Sequence, residues 1–261
     1  MLACQSHNTN THNQITTPII FLHGLLGSQA DWQAVVTLLQ KNPQIQPLTI
    51  DLPAHGNSNK IISDDFITAR QLIDQTIKQQ LSHRPFYLVG YSLGGRIALD
   101  YALNGNNPDL QHTFLEGTHL GLHLANERQA RWQTDQQWAN RFRNEPIKQV
   151  LQAWYQQPVF ADLSAEKRAF LLGKRQHNNG HAIAQMLEAT SLAKQPNYLS
   201  TVKTQIHRFT FLIGERDHKF RQLATQQQLN YQLIRHAGHN SHQENPSDFV
   251  ETLLQKITCI T

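Results

Sequence analysis

Cysteine is scarce in this chain: 261 residues carry two, Cys4 and Cys259. Two are too few for a disulfide framework, and their spacing is not that of a metal-type pair. Two free thiols fit a reducing compartment. Long apolar runs are missing as well. None approaches the roughly 18 residues needed to cross a bilayer, and the mean hydropathy is −0.50, so no membrane span is expected. Leu2-Ala3-Cys4 has the ending of a lipoprotein signal, but no charged or apolar region precedes it, and a cytoplasmic location is expected. Charge of one sign is not massed either. Lys and Arg number 23 against 19 Asp and Glu, a net +4. The cations are scattered rather than blocked, which argues against a nucleic-acid partner. Repeats and low-complexity linkers are absent. The first 17 residues, rich in Asn, Thr, Gln and His, are expected to be mobile.

What remains is a chain of 39% hydrophobic residues, ample for one core with an inserted segment. Apolar runs at Ile19–Leu22, Pro47–Asp51, Phe86–Tyr91, Thr113–Leu115, Arg208–Ile213 and Tyr231–Ile234 read as buried strands. Between them lie helical patterns over about 29–41, 64–82, 93–103, 219–229 and 246–257, with Pro246 suited to a helix start. Alternation of this kind predicts a mostly parallel sheet flanked by helices. It breaks between about 117 and 204, where only helical periodicity appears and Asn178-Asn179-Gly180 marks a turn. The expected organisation is a core of residues 18–116 and 205–261 with a helical cap over 117–204.

Gly90-Tyr91-Ser92-Leu93-Gly94 falls at a strand-to-helix junction. Gly-x-Ser-x-Gly there is a nucleophile elbow, and with the alternation it predicts an α/β-hydrolase fold with an inserted helical cap. The order of partners in that fold is Ser, then an acid, then His. Asp217, after the strand ending at Ile213, and His239, in Ala237-Gly238-His239-Asn240, lie on loops at carboxyl ends of strands, where this sheet class builds its site. Ser92, Asp217 and His239 are the candidate catalytic triad. Asp217 has a plainer reading as a turn residue or a partner of Arg216, and His236 and His242 are rivals to His239. His23-Gly24-Leu25 fits the loop that supplies a second oxyanion donor, so the backbone N–H groups of Leu25 and Leu93 are the candidate oxyanion hole. His23 reads as structural, and Asp51 and His55 as residues that fix a loop. No metal or organic cofactor is expected.

Arg96 is one helical turn after Ser92, and an arginine at that depth needs an anion. Arg131 shares a helix face with Trp138, one turn after Arg128. Cationic residues facing a triad suggest a small-molecule substrate that bears carboxylates.

Several strings carry a more specific signal. They are Gly90-Tyr91-Ser92-Leu93-Gly94-Gly95-Arg96, Glu116-Gly117-Thr118-His119, Trp154-Tyr155-Gln156-Gln157-Pro158-Val159-Phe160, Met186-Leu187-Glu188-Ala189-Thr190-Ser191-Leu192, Gly214-Glu215-Arg216-Asp217-His218-Lys219-Phe220 and Ala237-Gly238-His239-Asn240-Ser241-His242-Gln243-Glu244-Asn245-Pro246. From about residue 19 to 250 the chain resembles the 2-succinyl-6-hydroxy-2,4-cyclohexadiene-1-carboxylate synthases, lyases of menaquinone biosynthesis with the α/β-hydrolase fold. The resemblance implies elimination of pyruvate from the 5-enolpyruvyl ring acid, a tricarboxylate. It implies Ser92, Asp217 and His239 as triad, and Tyr91, Arg96, Arg131, Trp154 and Arg175 as substrate contacts. Ala54 stands where glycine is usual in Asp-Leu-Pro-Gly-His-Gly, and Thr118 and Leu120 replace the more typical Gly and Pro beside His119. An esterase or carbon–carbon hydrolase needs the same triad but no arginine set, and a receptor that keeps the fold without turnover is a third reading. Oligomeric state is not legible.

Overall fold

The computed structural model describes residues 1–7, 16–161 and 163–260. Its frame is a seven-stranded sheet in the order β1-β3-β2-β4-β5-β6-β7. The strands are β1 (Cys4–Ser6), β2 (Thr17–Leu22), β3 (Ile45–Ile50), β4 (Phe86–Tyr91), β5 (Leu110–Glu116), β6 (Phe209–Gly214) and β7 (Tyr231–Ile234). Every pairing is parallel except β1 with β3. The central strands are buried on both faces, which is why they read as unbroken apolar runs rather than alternating ones.

One face of the sheet is covered by α2 (Phe66–Leu81) and α3 (Leu93–Asn104), which bury Ile73, Ile77, Ile97 and Leu99 among others. The other is covered by α1 (Gln33–Leu39) and α11 (Pro246–Ile260), with Trp32, Val36, Phe249 and Leu253 in its core. Capping chemistry sets where several helices begin. Asp65 accepts from the Thr68 N–H at 2.7 Å to open α2, and Asn179 accepts from Ala182 to open α7 (Gly180–Ala189), each satisfying an N–H that has no partner within its helix.

Between β5 and β6 the described residues form helices only: α4 (Ala125–Asn144), α5 (Ile147–Trp154), α6 (Ala165–Arg175), α7 and α8 (Leu199–Thr204), with a short 3-10 turn at Pro158–Phe160. They have their own apolar cluster, of Phe142, Val150, Leu151, Leu171, Ile183 and Leu187. Leu26, from the loop after β2, is part of that cluster, so the helical layer is joined to the sheet's carboxyl edge by packing. After β6 come α9 (His218–Gln226), β7, the single turn α10 (Ser241–Glu244) and α11.

The amino end departs from expectation. Residues 4–6 are not a loose tail: they form the antiparallel edge strand, with Cys4 opposite Ile50, and Leu2 is 1% exposed. Residues 8–15 of the segment expected to be mobile lie outside the described residues. Both cysteines are free. Ala54 holds φ at +67°, the left-handed region that glycine occupies without strain and other residues only at a cost of about 1–2 kcal/mol. Among the described residues no helix is long and apolar enough to cross a membrane.

Candidate active site

The carboxyl ends of β2, β4, β5, β6 and β7 converge on one place, and each loop there is fixed by a different device. At the end of β4 the chain turns sharply into α3. Ser92 takes φ 51°, ψ −108°, a strained conformation for a residue with a side chain. Its N–H is held by the Glu116 carbonyl at 2.9 Å. The flanking glycines are required by contact. A Cβ on Gly90 would lie 2.5 Å from the Gly94 carbonyl oxygen, and one on Gly94 2.4 Å from that of His23. The start of α3 therefore presses directly on the end of β2.

That contact brings the loop after β2 beside Ser92. A Cβ on Gly24 would meet the Tyr91 ring at 2.8 Å and the Ser92 Cβ at 3.5 Å. The loop is pinned by buried histidines. The His23 Nδ1–H donates to the Gly24 carbonyl (2.8 Å) while its Nε2 accepts from the Leu52 N–H (3.0 Å). The His55 Nδ1–H donates to Pro53 (2.7 Å) and its Nε2 accepts from Leu26 (2.9 Å). Burial pushes the pKa of both rings down, that of His55 to about 3, so they act as neutral hydrogen-bonding wedges. Asp51 accepts from the Gln29 and Asn57 N–H groups and ties the same loops. Among the described residues, neither the Leu25 nor the Leu93 N–H has a protein acceptor.

Asp217 does two jobs. One carboxylate oxygen caps α9 by accepting from Phe220 at 3.2 Å. The other lies 2.7 Å from His239 Nδ1, which fixes that nitrogen as the donor and leaves Nε2 bare. Arg216 is occupied elsewhere, on Glu244 at 2.6 Å. Of the rival histidines, His236 is exposed with its ring toward Glu215, and His242 is buried on Glu116 at 2.7 Å. The Cε1 side of the His239 ring lies against Gly117, the residue after the carbonyl that holds Ser92. No hydrogen bond joins the Ser92 hydroxyl to His239 among the described residues, a link that often tightens only when a substrate is bound.

The expected substrate contacts divide. The Tyr91 ring lies 5.6 Å from His239. Arg96, on α3 one turn below Ser92, is part-buried and has no direct carboxylate partner. Its Nη1 donates to the Thr190 carbonyl at 2.7 Å and its guanidinium sits 5.6 Å over the Phe66 ring. Burial, and then the neighbouring Arg131 charge, push its pKa down to about 9 against the pull of Asp135. Arg131 is half-exposed and donates to Asp135 at 2.8 Å. Arg128 donates to the Ala193 carbonyl. Trp154 packs on Trp138, with ring centroids 5.0 Å apart, and on Phe142.

Arg175 is ion-paired in this structure: its Nη2 lies 2.5 Å from the Asp31 carboxylate, which also faces Lys174. Burial raises the Asp31 pKa, but the Arg175 charge outweighs it and holds the group at about 2. A partner 144 residues away leaves no trace in local sequence. The expectation missed two further features. One is the buried group of Glu116, Ser241 and His242. The other is His119, whose pKa is pushed down to about 4 by burial and then by Lys219, Arg96 and Arg131. Glu116 carried one signal, a carboxylate ending an otherwise buried strand.

A strained serine at a strand-to-helix turn, on a parallel sheet whose last loops bring an acid onto a histidine, defines the class: an α/β-hydrolase fold, whose profile matches residues 17–246. A curated protein of Yersinia pseudotuberculosis serotype O:1b, a 2-succinyl-6-hydroxy-2,4-cyclohexadiene-1-carboxylate synthase, is 46% identical over 97% of this chain and 93% of its own length. A synthase of the same name from Yersinia pestis is also 46% identical. Among solved structures, MenH from S. aureus superposes with a TM-score of 0.86 at 25% identity, covering 98% of both chains. An esterase from Thermogutta terrifontis superposes at 0.79 with 15% identity, covering 99% of this chain and 93% of that one, a likeness of fold alone. The chain belongs to the 2-succinyl-6-hydroxy-2,4-cyclohexadiene-1-carboxylate synthase family.

Proposed function

We propose that the protein eliminates pyruvate from 2-succinyl-5-enolpyruvyl-6-hydroxy-3-cyclohexene-1-carboxylate to give 2-succinyl-6-hydroxy-2,4-cyclohexadiene-1-carboxylate. It is then a carbon–oxygen lyase of menaquinone biosynthesis, with Ser92, His239 and Asp217 as its triad. The observation that carries the reading, beyond the likeness to the named synthases, is Arg96: a part-buried guanidinium one turn from Ser92 whose direct contacts are a carbonyl and an aromatic face. A desolvated cation without a directly bonded anion is costly, and a carboxylate of the substrate would relieve that cost. An uncharged ester would not.

In this mechanism Ser92 is a base. His239, its Nδ1–H held by Asp217, takes the serine proton, and the oxygen removes a proton next to the succinyl ketone. Negative charge moves onto the ketone oxygen, where the free N–H groups of Leu25 and Leu93 stabilise the enolate. The electron pair returns through the ring and breaks the bond to the enolpyruvyl oxygen. The leaving group takes up a proton and departs as pyruvate. Arg96 and Arg131 hold carboxylates so that the acidic C–H lies against Ser92, beside Tyr91 and Trp154. The helices of residues 117–204 act as a cap over this site, with the remainder of 18–261 as the core. Arg175 acts indirectly: with Asn178, which donates to the Leu26 carbonyl at 3.0 Å, it ties the cap to the loop that carries Leu25.

The test is to incubate the enzyme with the enolpyruvyl ring acid in ¹⁸O-water and follow pyruvate by a coupled assay. Pyruvate release without ¹⁸O in the succinyl side chain is expected, and incorporation there would mean hydrolysis. Ser92→Ala and His239→Ala should each lower kcat by about 10³-fold or more, since the pair acts as one proton-transfer unit.

A further inference from the structure

Glu116 is 1% exposed, yet its carboxylate is saturated with donors. One oxygen accepts from the Ser241 hydroxyl (2.7 Å) and the His242 N–H (3.0 Å), and the other from His242 Nδ1 (2.7 Å). A carboxylate buried this deeply is retained only where its hydrogen bonds are complete. The His242 ring is locked in turn, stacked 4.0 Å from Trp32 and edge-on 4.9 Å from Tyr91.

The backbone of the same residue works on the opposite side of the site. The Glu116 carbonyl accepts the Ser92 N–H (2.9 Å) and the Thr118 hydroxyl (3.0 Å). In the β4–β5 register Glu116 lies opposite Tyr91. Gly117, next in sequence, has φ +53°, and a Cβ there would stand 2.7 Å from His239 Cε1. One dipeptide thus grips the turn that carries the serine, the turn just after the histidine, and the face of the imidazole between them.

We propose that Glu116, through its bonds to Ser241 and His242, is a positioning residue that holds the Ser92 turn and the His239 loop in register for proton transfer. It touches neither substrate nor reacting atoms. It acts by keeping two chain segments about 150 residues apart in sequence at a fixed separation, a role that matters because a misplacement of about 1 Å can cost on the order of 10²-fold in rate. The network is buried and meets the site through the His242 ring against Tyr91, so it sets geometry without competing for the substrate's charges.

The inference rests on the triad assignment given above, and its test separates the two. The readout is the rate at which phenylmethanesulfonyl fluoride sulfonylates Ser92, followed by intact-protein mass and independent of any ring-acid substrate, with kcat and KM for pyruvate release measured alongside. Wild-type enzyme that is not labelled at Ser92 would sink the triad assignment itself. With wild type labelled, Glu116→Ala should slow labelling and lower kcat by at least ~10-fold with KM within ~3-fold, the pattern of lost positioning rather than lost binding. Glu116→Gln, which can still accept from Ser241 and the His242 N–H, should recover most of the rate. Ser241→Ala removes a single bond at little packing cost and covers the case in which Glu116→Ala does not fold; it should slow labelling by ~3-fold or more. Asp100→Asn is the stability control. It weakens a buried group with Arg70, Asn104 and Tyr198 farther along α3, and should lower Tm without slowing labelling. Folded Glu116→Ala or Ser241→Ala that labels at the wild-type rate while losing Tm as Asp100→Asn does would overturn the proposal, leaving Glu116 purely structural.

Discussion

Arg96, at the foot of the site and part-buried, and Arg175, buried at the end of α6, have opposite surroundings. Arg175 meets Asp31 in an ion pair whose side chains are 7% and 4% exposed. Its own pKa is raised: burial works against its charge, but the Asp31 carboxylate outweighs it. Arg96 meets a carbonyl and a phenyl ring and has no direct carboxylate contact; the pull of Asp135 does not offset the desolvation of its guanidinium and the repulsion of Arg131. The same residue type is therefore used in two ways. Where the fold supplies the counter-ion, the arginine joins segments, here the helical layer and the loop after β2. Where the fold supplies only a carbonyl and a ring, the guanidinium fits the role proposed above, that of receiving a carboxylate of the substrate.

The sharpest break of this comparison removes the counter-ion that Arg175 has. Asp31→Ala leaves a guanidinium buried and unpaired, a change that costs about 3–5 kcal/mol in comparable buried pairs. Urea unfolding should show the loss as a lower midpoint with an unchanged slope. An Asp31→Ala variant as stable as wild type would mean that Arg175 has another anion or is wetter than its burial indicates.

The second-largest effect comes from the arginine that lacks a partner. Arg96→Ala should reduce kcat/KM by about 10–200-fold, the equivalent of ~1.5–3 kcal/mol for a charge-assisted contact, with both kcat and KM affected because it stands one turn from Ser92. Its stability should hold or rise, since a desolvated charge is removed. Arg96→Lys should restore only part of the activity, because an ammonium cannot make the planar two-point contact of a guanidinium. If Arg96→Ala unfolds readily while keeping its activity, the two arginines have been assigned the wrong way round.

A smaller effect follows from the burial of the loop that Arg175 ties down. The His55 pKa is low because of burial first, with the nearby Arg175 charge a lesser addition. The unfolded ring binds its proton near pH 6.5 and the folded one only near 3, so the stability contributed by neutral His55 is complete above 6.5 and is lost progressively as the pH falls toward 3. At pH 5 the loss from this group is about 2 kcal/mol. The slope of stability against pH between 7.5 and 5 should be shallower in His55→Gln, and equal slopes would show that His55 is protonated in the fold at pH 5.

Much of this was legible in the sequence. Six of seven strands announce themselves as apolar runs, the central ones because they are covered on both faces, and Ser92, Asp217 and His239 stand on the loops where strand-to-helix and strand-to-loop punctuation puts them. β1 was not legible: Cys4-Gln5-Ser6 is a polar three-residue edge that becomes a strand only because β3 offers it backbone partners. The state of the arginines was not legible either. Arg96 and Arg175 look alike in a string of letters, and what separates them is a contact with Asp31 across more than half the chain. Glu116 showed the same limit. Its place at a strand end was readable, but the donors that complete it come from residues 241 and 242.

Arg131 stands between these two cases and should give the smallest effect. It is paired like Arg175, on Asp135 at 2.8 Å, but its side chain is 37% exposed. Asp135 is also shared, accepting from the Ser191 hydroxyl at 2.7 Å. Arg131 also lies close enough to Arg96 for the two charges to repel. Its partner can be held by Ser191 while the guanidinium swings to an incoming carboxylate, so its contribution to binding is the modest one of a solvated pair, about 0.3–1 kcal/mol. Arg131→Ala should therefore raise KM by about 2–5-fold, leave kcat nearly unchanged, and lose most of its effect at high ionic strength, where exposed charges are screened. Arg143→Ala is the control. Arg143 is also on α4 but pairs with Glu188 at 2.6 Å, and its removal should change neither constant at either salt concentration. Kinetics of the two variants at low and at high salt decide the matter. If Arg131→Ala lowers kcat as far as Arg96→Ala and ignores salt, the anion is held from α4 rather than steered by it. If it behaves like Arg143→Ala, Arg131 takes no part in binding, and the substrate carboxylate falls to Arg96.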